Sequence, residues 1–196
     1  LSASLSGLQR LNLVAQALHG LERLDEADRL YARAATLLAG EFPDGSRDIA
    51  ILLNNRALLA RDRGDQAAAL DLLERSVAMR RQVYEGDHPV VVFGLVNLAR
   101  QSLAMDRPGD ALAHAGEAVA MADRLFAQPA QEQVMALAVL AQALARGDKA
   151  GEAHARLAQA EAALAALPEG SERAARLVAD TRDMLCGEAP AAGASC

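Results

Sequence analysis

The chain has 196 residues, 52% hydrophobic but only 3% aromatic, with no tryptophan and a formal net charge of −6. Apolar content made mostly of alanine and leucine, with few β-branched residues, favours helices and disfavours a substantial sheet. The acidic balance lacks the basic patch with stacking aromatics that nucleic-acid binding needs, and no uncharged apolar run reaches the roughly 18 residues of a membrane span, so neither nucleic acid nor membrane is an expected partner.

In chain order, residues 1–7 read as a leader from a preceding segment. The chain starts at Leu1 without a secretory signal pattern, so it is expected to be part of a longer protein. Residues 8–49 read as two amphipathic helices. Leu11, Val14, Ala15 and Leu18 share one face; Ala27, Tyr31, Ala34 and Leu38 share the other helix's face, and "GLERLDE" lies between them. "EFPDGS" closes this unit, with Asp44 and Ser46 as candidate N-caps of the next helix. Residues 50–91 repeat the plan around "RDRGDQ" and end in "YEGDHP". There Asp87 is the candidate N-cap, His88 a turn residue and Pro89 a first-turn proline. Residues 92–133 repeat it around "MDRPGD", and residues 134–170 around "ARGDKAGE". Residues 171–187 read as one further helix, capped by Ser171, with Ala174, Leu177, Val178, Thr181, Met184 and Leu185 on one side. It is expected to cover the last repeat. Residues 188–196 have the composition of a disordered tail.

The four units recur at one fixed interval, the step from Ala15 to Ala57, and a fixed period of this order marks a repeat architecture. Ala15, Ala57, Ala99 and Ala141 superpose, as do Ala27, Ala69, Ala111 and Ala153, then Leu11, Leu53, Leu95 and Leu137, and finally Ala34, Ser76, Ala118 and Ala160. Small residues let paired helices approach closely, and Tyr31, Leu73 and Leu157 are expected to fill the holes beside them. One pair cannot bury enough apolar surface alone, so the copies must stack. A fifth shift would place Asp183 in the small column, so the pattern is expected to end after four copies.

Chemistry is sparse. His19, His88, His114 and His154 fall in unrelated columns without zinc spacing, and Cys186 and Cys196 lie far along the chain from them. No glycine-rich phosphate loop is present. Neither a metal nor a cofactor is expected, and the chain is not expected to be an enzyme.

These columns resemble the tetratricopeptide repeat, with Leu11, Ala15, Ala27, Tyr31 and Ala34 in the consensus places. The usual repeat is about 34 residues. The longer form here, with "LNN.A" at Leu53, Asn54, Asn55 and Ala57 and "DHP" at Asp87, His88 and Pro89, is similar to the kinesin light chain type widespread in bacterial proteins. The resemblance implies an all-α, superhelical solenoid of four helix pairs plus a C-terminal capping helix, with the first helices lining a concave groove. The groove candidates are then Gln9, Asn12, Gln16 and His19; Asn54, Asn55, Leu58 and Arg61; Phe93, Asn97 and Arg100; and Met135, Gln142 and Arg146. A carboxamide offers a donor and an acceptor, as a peptide bond does. Repeated asparagines can therefore hold an extended peptide by its backbone, and in similar repeats asparagines in these columns contact peptides. The same residues can instead bond the adjacent helix and fix the repeat spacing. Arg56, where the family has leucine, is either a groove residue or an arginine snorkelling to the surface. Arg61 and Arg100 are ligand contacts or solvated charges; Phe93 is a groove aromatic or core packing. The carboxylate clamp of chaperone adaptors does not carry over, because Asn12 and Phe93 stand where it needs basic residues.

The expected function is a protein-protein interaction module that binds a peptide or protein segment, with acidic residues favoured by Arg61 and Arg100. The alternative is a regulatory portion of a larger signalling enzyme, since similar bacterial repeats are fused to kinases, switch ATPases and caspase-like proteases. A monomer or weak homodimer is expected. The cytoplasm is the expected compartment, or the periplasm if a membrane segment lies upstream.

Overall fold

The interval between the alanine columns reappears as helix boundaries. The computed structural model describes residues 2–42, 45–168 and 171–187, and among these the regular structure is helical. The helices are α1 (Ser2–Gly20), α2 (Leu24–Glu41), α3 (Arg47–Asp62), α4 (Gln66–Val83), α5 (Pro89–Ala104), α6 (Pro108–Leu125), α7 (Gln131–Arg146), α8 (Ala150–Ala165) and α9 (Glu172–Gly187). The second helices start at Leu24, Gln66, Pro108 and Ala150, each one repeat interval after the one before. The first helices α3, α5 and α7 keep the same interval, and α1 takes in most of the expected leader.

Local chemistry sets these limits. Ser46 precedes α3 in extended conformation, and its hydroxyl accepts from the Ile49 amide at 3.2 Å. Asp65 caps α4 through the Ala68 amide at 3.0 Å. At α5 the expected cap moves by one residue: His88, not Asp87, is the N-cap, and its Nδ1 accepts from the Val90 amide at 3.2 Å with Pro89 in the first turn. Asp87 instead takes a two-pronged bond from Arg124 of α6, 2.6 Å from Nε and 2.9 Å from Nη2. Ser171 contributes its carbonyl to the first turn of α9, while its hydroxyl donates to the Pro168 carbonyl at 3.2 Å. Asp44 and the tail 188–196, including Cys196, lie outside the described residues.

Within each pair the two helices are joined by the same turn. Glu22, Gly64, Asp106 and Asp148, again one repeat interval apart, all have positive φ, between 55° and 83°. In each, the following amide bonds back five residues (Arg23 to Leu18, Asp65 to Ala60, Arg107 to Ser102, Lys149 to Leu144). This is the Schellman arrangement, which satisfies helix-end carbonyls through one left-handed residue.

The chain forms two compact units, Leu1–Glu85 and Gly86–Cys196. In unit 1, α1 packs on α2, α3 on α4, and α3 also meets both α1 and α2. In unit 2, α7 is central, packed by α5, α6, α8 and α9. The small columns lie in the packed interior: Ala15, Ala57, Ala99 and Ala141, and likewise Ala27, Ala69, Ala111 and Ala153, are fully buried or within 1% of it. Tyr31, Leu73 and Leu157 are buried beside them as fillers. In the fourth column Ser76 tolerates burial because its hydroxyl donates to the Ala50 carbonyl at 2.8 Å. The helix α9 lies against α7 and α8, covering the last pair.

Candidate functional site

The candidate surface is built from the first helices, and its parts belong to separate units. In unit 1, α1 and α3 bring Asn12 and Asn55 together: Asn55 Nδ2 donates to Asn12 Oδ1 at 2.9 Å, and both side chains are half-buried. This is the helix-to-helix bond weighed above as the alternative to ligand contact. It uses one donor and one acceptor, which leaves Asn12 Nδ2 and Asn55 Oδ1 to meet something else. One turn pair further on, His19 Nε2 meets Asp62 Oδ2 at 2.8 Å, and Arg61 Nε donates to Asp62 Oδ1 at 3.1 Å. Asp62, the last residue of α3, thus neutralises the basic side of this face. Gln16 is exposed, Leu58 half-buried, and the side chain of Gln9 lies outside the described residues.

Asn54 is set apart from its neighbour. It is only 6% exposed, because it faces the packed side of α3 rather than its rim. Beside Asn12 lies a hollow of about 300 Å³. Leu13, Ala34, Leu38, Ile51 and Leu52 form its apolar wall, and Asn12 and Asp48 supply its polar atoms. Leu13 is 63% exposed and Ile51 36%, so an apolar rim stands open next to the asparagine pair. Periodicity placed Leu13 off the core face, but it gave no sign of a hollow.

In unit 2 the expected residues are more committed to the fold. Asn97 is 4% exposed and Met135 2%, so neither presents a surface. Gln142 donates through Nε2 to Thr181 Oγ1 of α9 at 2.8 Å. It therefore fixes the terminal helix on α7. Phe93 is half-buried, and the Arg173 guanidinium of α9 lies over its ring, 4.8 Å from the centroid. Arg100 is half-buried and Arg146 exposed. Thr181 and Arg173 were not foreseen as parts of this face, because the spacing excluded α9 from the repeat. Among the described residues no cluster of three histidine, cysteine, aspartate or glutamate side chains suits a metal, and no helix is long and apolar enough to cross a membrane.

Comparison with known proteins agrees with this architecture. The chain resembles two crystal structures of the nearly identical TPR-like repeats ascribed to a kinesin light chain of Podosopora anserina, with TM-scores of 0.75 and 0.73, each at 20% identity and covering 93% of this chain and 88% of that one. It also resembles BtubC (BKLC) from P. vanneervenii at 17% identity and a TM-score of 0.71, covering 96% and 68%. Aspartyl phosphate phosphatase F from Bacillus subtilis shares the fold at 15% identity and a TM-score of 0.67, over 95% of this chain and 48% of that one. No curated protein matches the chain significantly. The tetratricopeptide repeat model matches residues 8–82 and, in a second overlapping register, 48–124, the span where the small columns and paired helices recur. With the repeated alanine columns, the helix pairs and this match over the same span, the chain belongs to the tetratricopeptide repeat family.

Proposed function

We propose that the chain is a protein-interaction module that binds an extended segment of a partner, held by its backbone on the first helices. The observation that carries this reading is the Asn12–Asn55 pair in unit 1. Its mutual bond fixes both carboxamides in place, and the remaining donor and acceptor match the two groups of a peptide bond. The hollow between Leu13, Leu38, Ile51 and Leu52 lies beside it and suits one apolar side chain of the bound segment. Selectivity then comes from this anchor. An acidic preference is secondary, because Asp62 already engages Arg61 and His19.

Selection from a displayed peptide library on the whole chain supplies the probe. Removing either carboxamide, by Asn12→Ala or Asn55→Ala, is expected to weaken the selected peptide about five- to tenfold, the worth of about one hydrogen bond. Ile51→Asp is expected to weaken it further by polarising the hollow. Selected peptides indifferent to all three substitutions would place the site elsewhere and end this reading.

A further inference from the structure

Unit 1 has a second hollow, on its other side. It lies between the second helices α2 and α4 with α3 as its floor, and measures about 420 Å³. Ala35, Ile49, Leu52, Leu53, Ala78 and Met79 make it apolar. Into this apolar lining comes Arg56, whose Nε is buried without a hydrogen-bond partner. Arg75 also lines the hollow but already has a partner, Asp71, at 3.3 Å. Among the described residues no carboxylate lines the hollow, so the Arg56 charge is not neutralised there.

The repeat supplies an internal control. The Arg56 column holds Leu98 and Leu140 in the next copies, 3% and 7% exposed. The fold is therefore satisfied by leucine at this place, and a partly desolvated guanidinium is unfavourable there unless something meets it. The equivalent hollow of unit 2, between α6 and α8, contains Leu137, Gln159, Ala162 and Ala163 where unit 1 has Leu53, Arg75, Ala78 and Met79. That hollow has its own carboxylate, Asp123, which accepts from Gln133 at 2.8 Å. Arg156 also lines that hollow, but it donates to Gln159 at 3.0 Å, so of these two hollows the α2–α4 one holds the buried guanidinium nitrogen without a partner.

We propose that the α2–α4 hollow is a binding site for a small amphipathic carboxylate, an apolar stem carrying one carboxylate group. Arg56 receives the carboxylate, since a guanidinium offers a planar, charge-assisted fork for it. The stem lies along Ile49, Leu53 and Met79. The volume is that of a small-molecule site, which runs from about 300 to 1,000 Å³. The site is separate from the asparagine pair and stands without it.

Octanoate is the probe, titrated into the whole labelled chain while the Arg56 Nε–Hε resonance and the Met79 methyl are followed by NMR. Both signals are expected to shift together and saturate with octanoate, and octylamine is expected to leave Arg56 in place. Arg56→Leu, which reproduces Leu98 and Leu140 and so keeps the helices packed, is expected to weaken octanoate at least about tenfold. Octanol binding is expected to survive the same substitution. No saturable shift at Arg56, or equal octanoate affinity in Arg56→Leu, would overturn the proposal. So would a short peptide alternating leucine and aspartate that shifts Arg56 where octanoate does not, since the hollow would then serve an acidic chain segment.

Discussion

Tyr31 fills the second-helix core of the first repeat with no exposed surface, yet its hydroxyl has no hydrogen-bond partner. Burial pushes its pKa from 10.0 up to about 12. The deprotonated form is thus disfavoured more in the folded chain than in the unfolded one. Its contribution to stability is complete below pH 10 and is lost as the pH climbs towards 12. Tyr31→Phe keeps the ring and removes the orphaned hydroxyl, so it is expected to stabilise the chain by about 1 kcal/mol and to flatten the alkaline slope, both read by urea denaturation across pH. A destabilised Tyr31→Phe chain would show that the hydroxyl is satisfied in solution. Asp87 acts at the other end of the scale. The hydrogen bond from Arg124 holds its carboxyl below the ordinary carboxylate value. That stabilisation is present above the unfolded value and fades as the pH falls through the folded one, so Asp87→Asn is expected to show a shallower acid limb than the parent. The same residues mark what sequence can convey at this scale. Burial of Tyr31 followed from its column, whereas the partner of Asp87 lies on another helix, and no spacing rule points to Arg124.

The joints between paired helices show a conflict between local preference and register. A left-handed residue is needed at Glu22, Gly64, Asp106 and Asp148, but only the second copy supplies glycine. For other residues the left-handed region costs about 1–2 kcal/mol, partly offset by the lower chain entropy of a non-glycine residue when unfolded. Glu22→Gly, Asp106→Gly and Asp148→Gly are therefore each expected to stabilise by about 0.5 kcal/mol, and Gly64→Ala to destabilise by about 1 kcal/mol, measured by thermal denaturation. Gly147→Ala is expected to be neutral. Its φ is negative, and an added Cβ would stand 3.5 Å from the Ala143 and Leu144 carbonyls. The breaks themselves were legible as polar runs, but the register of the turn within them was not. In "RGDK" Gly147 stands beside the strained Asp148, and in "DRPG" Gly109 falls three residues past the strained Asp106, so the visible glycine misleads in both. Element limits were read best where a column of alanines, insensitive to local turn chemistry, defined the packing.

At the scale of the whole chain, the terminal helix α9 was expected, and its place outside the repeat has one reason. Held rigidly at the repeat interval, the pattern puts Asp183 in the small column. The helix α8 ends at Ala165, where the period from α6, ending at Leu125, would end it at Leu167. The register of α9 therefore slips by two residues, and Thr181, fully buried, takes the small place. Thr181 also donates to the Leu177 carbonyl at 2.7 Å while receiving Gln142, so both polar groups are satisfied at the joint. This placement predicts how stability is distributed. In a repeat chain each helix is supported by its neighbours alone, so protection follows the number of packed sides. The helix α7 is packed by four helices, and every residue from Val134 to Ala141 is buried. The helix α1 is packed by α2 and α3 and leaves Leu13 and Val14 63% and 51% exposed. Native-state hydrogen exchange is thus expected to be slowest in α7 and fastest in α1. Removing residues 171–196 is expected to bring α7 down towards the protection of α8, because it opens the side of α7 that Thr181 and Leu177 cover. If α7 kept its full protection without α9, the terminal helix would be a passenger on the repeat, and the slipped register would have no energetic role.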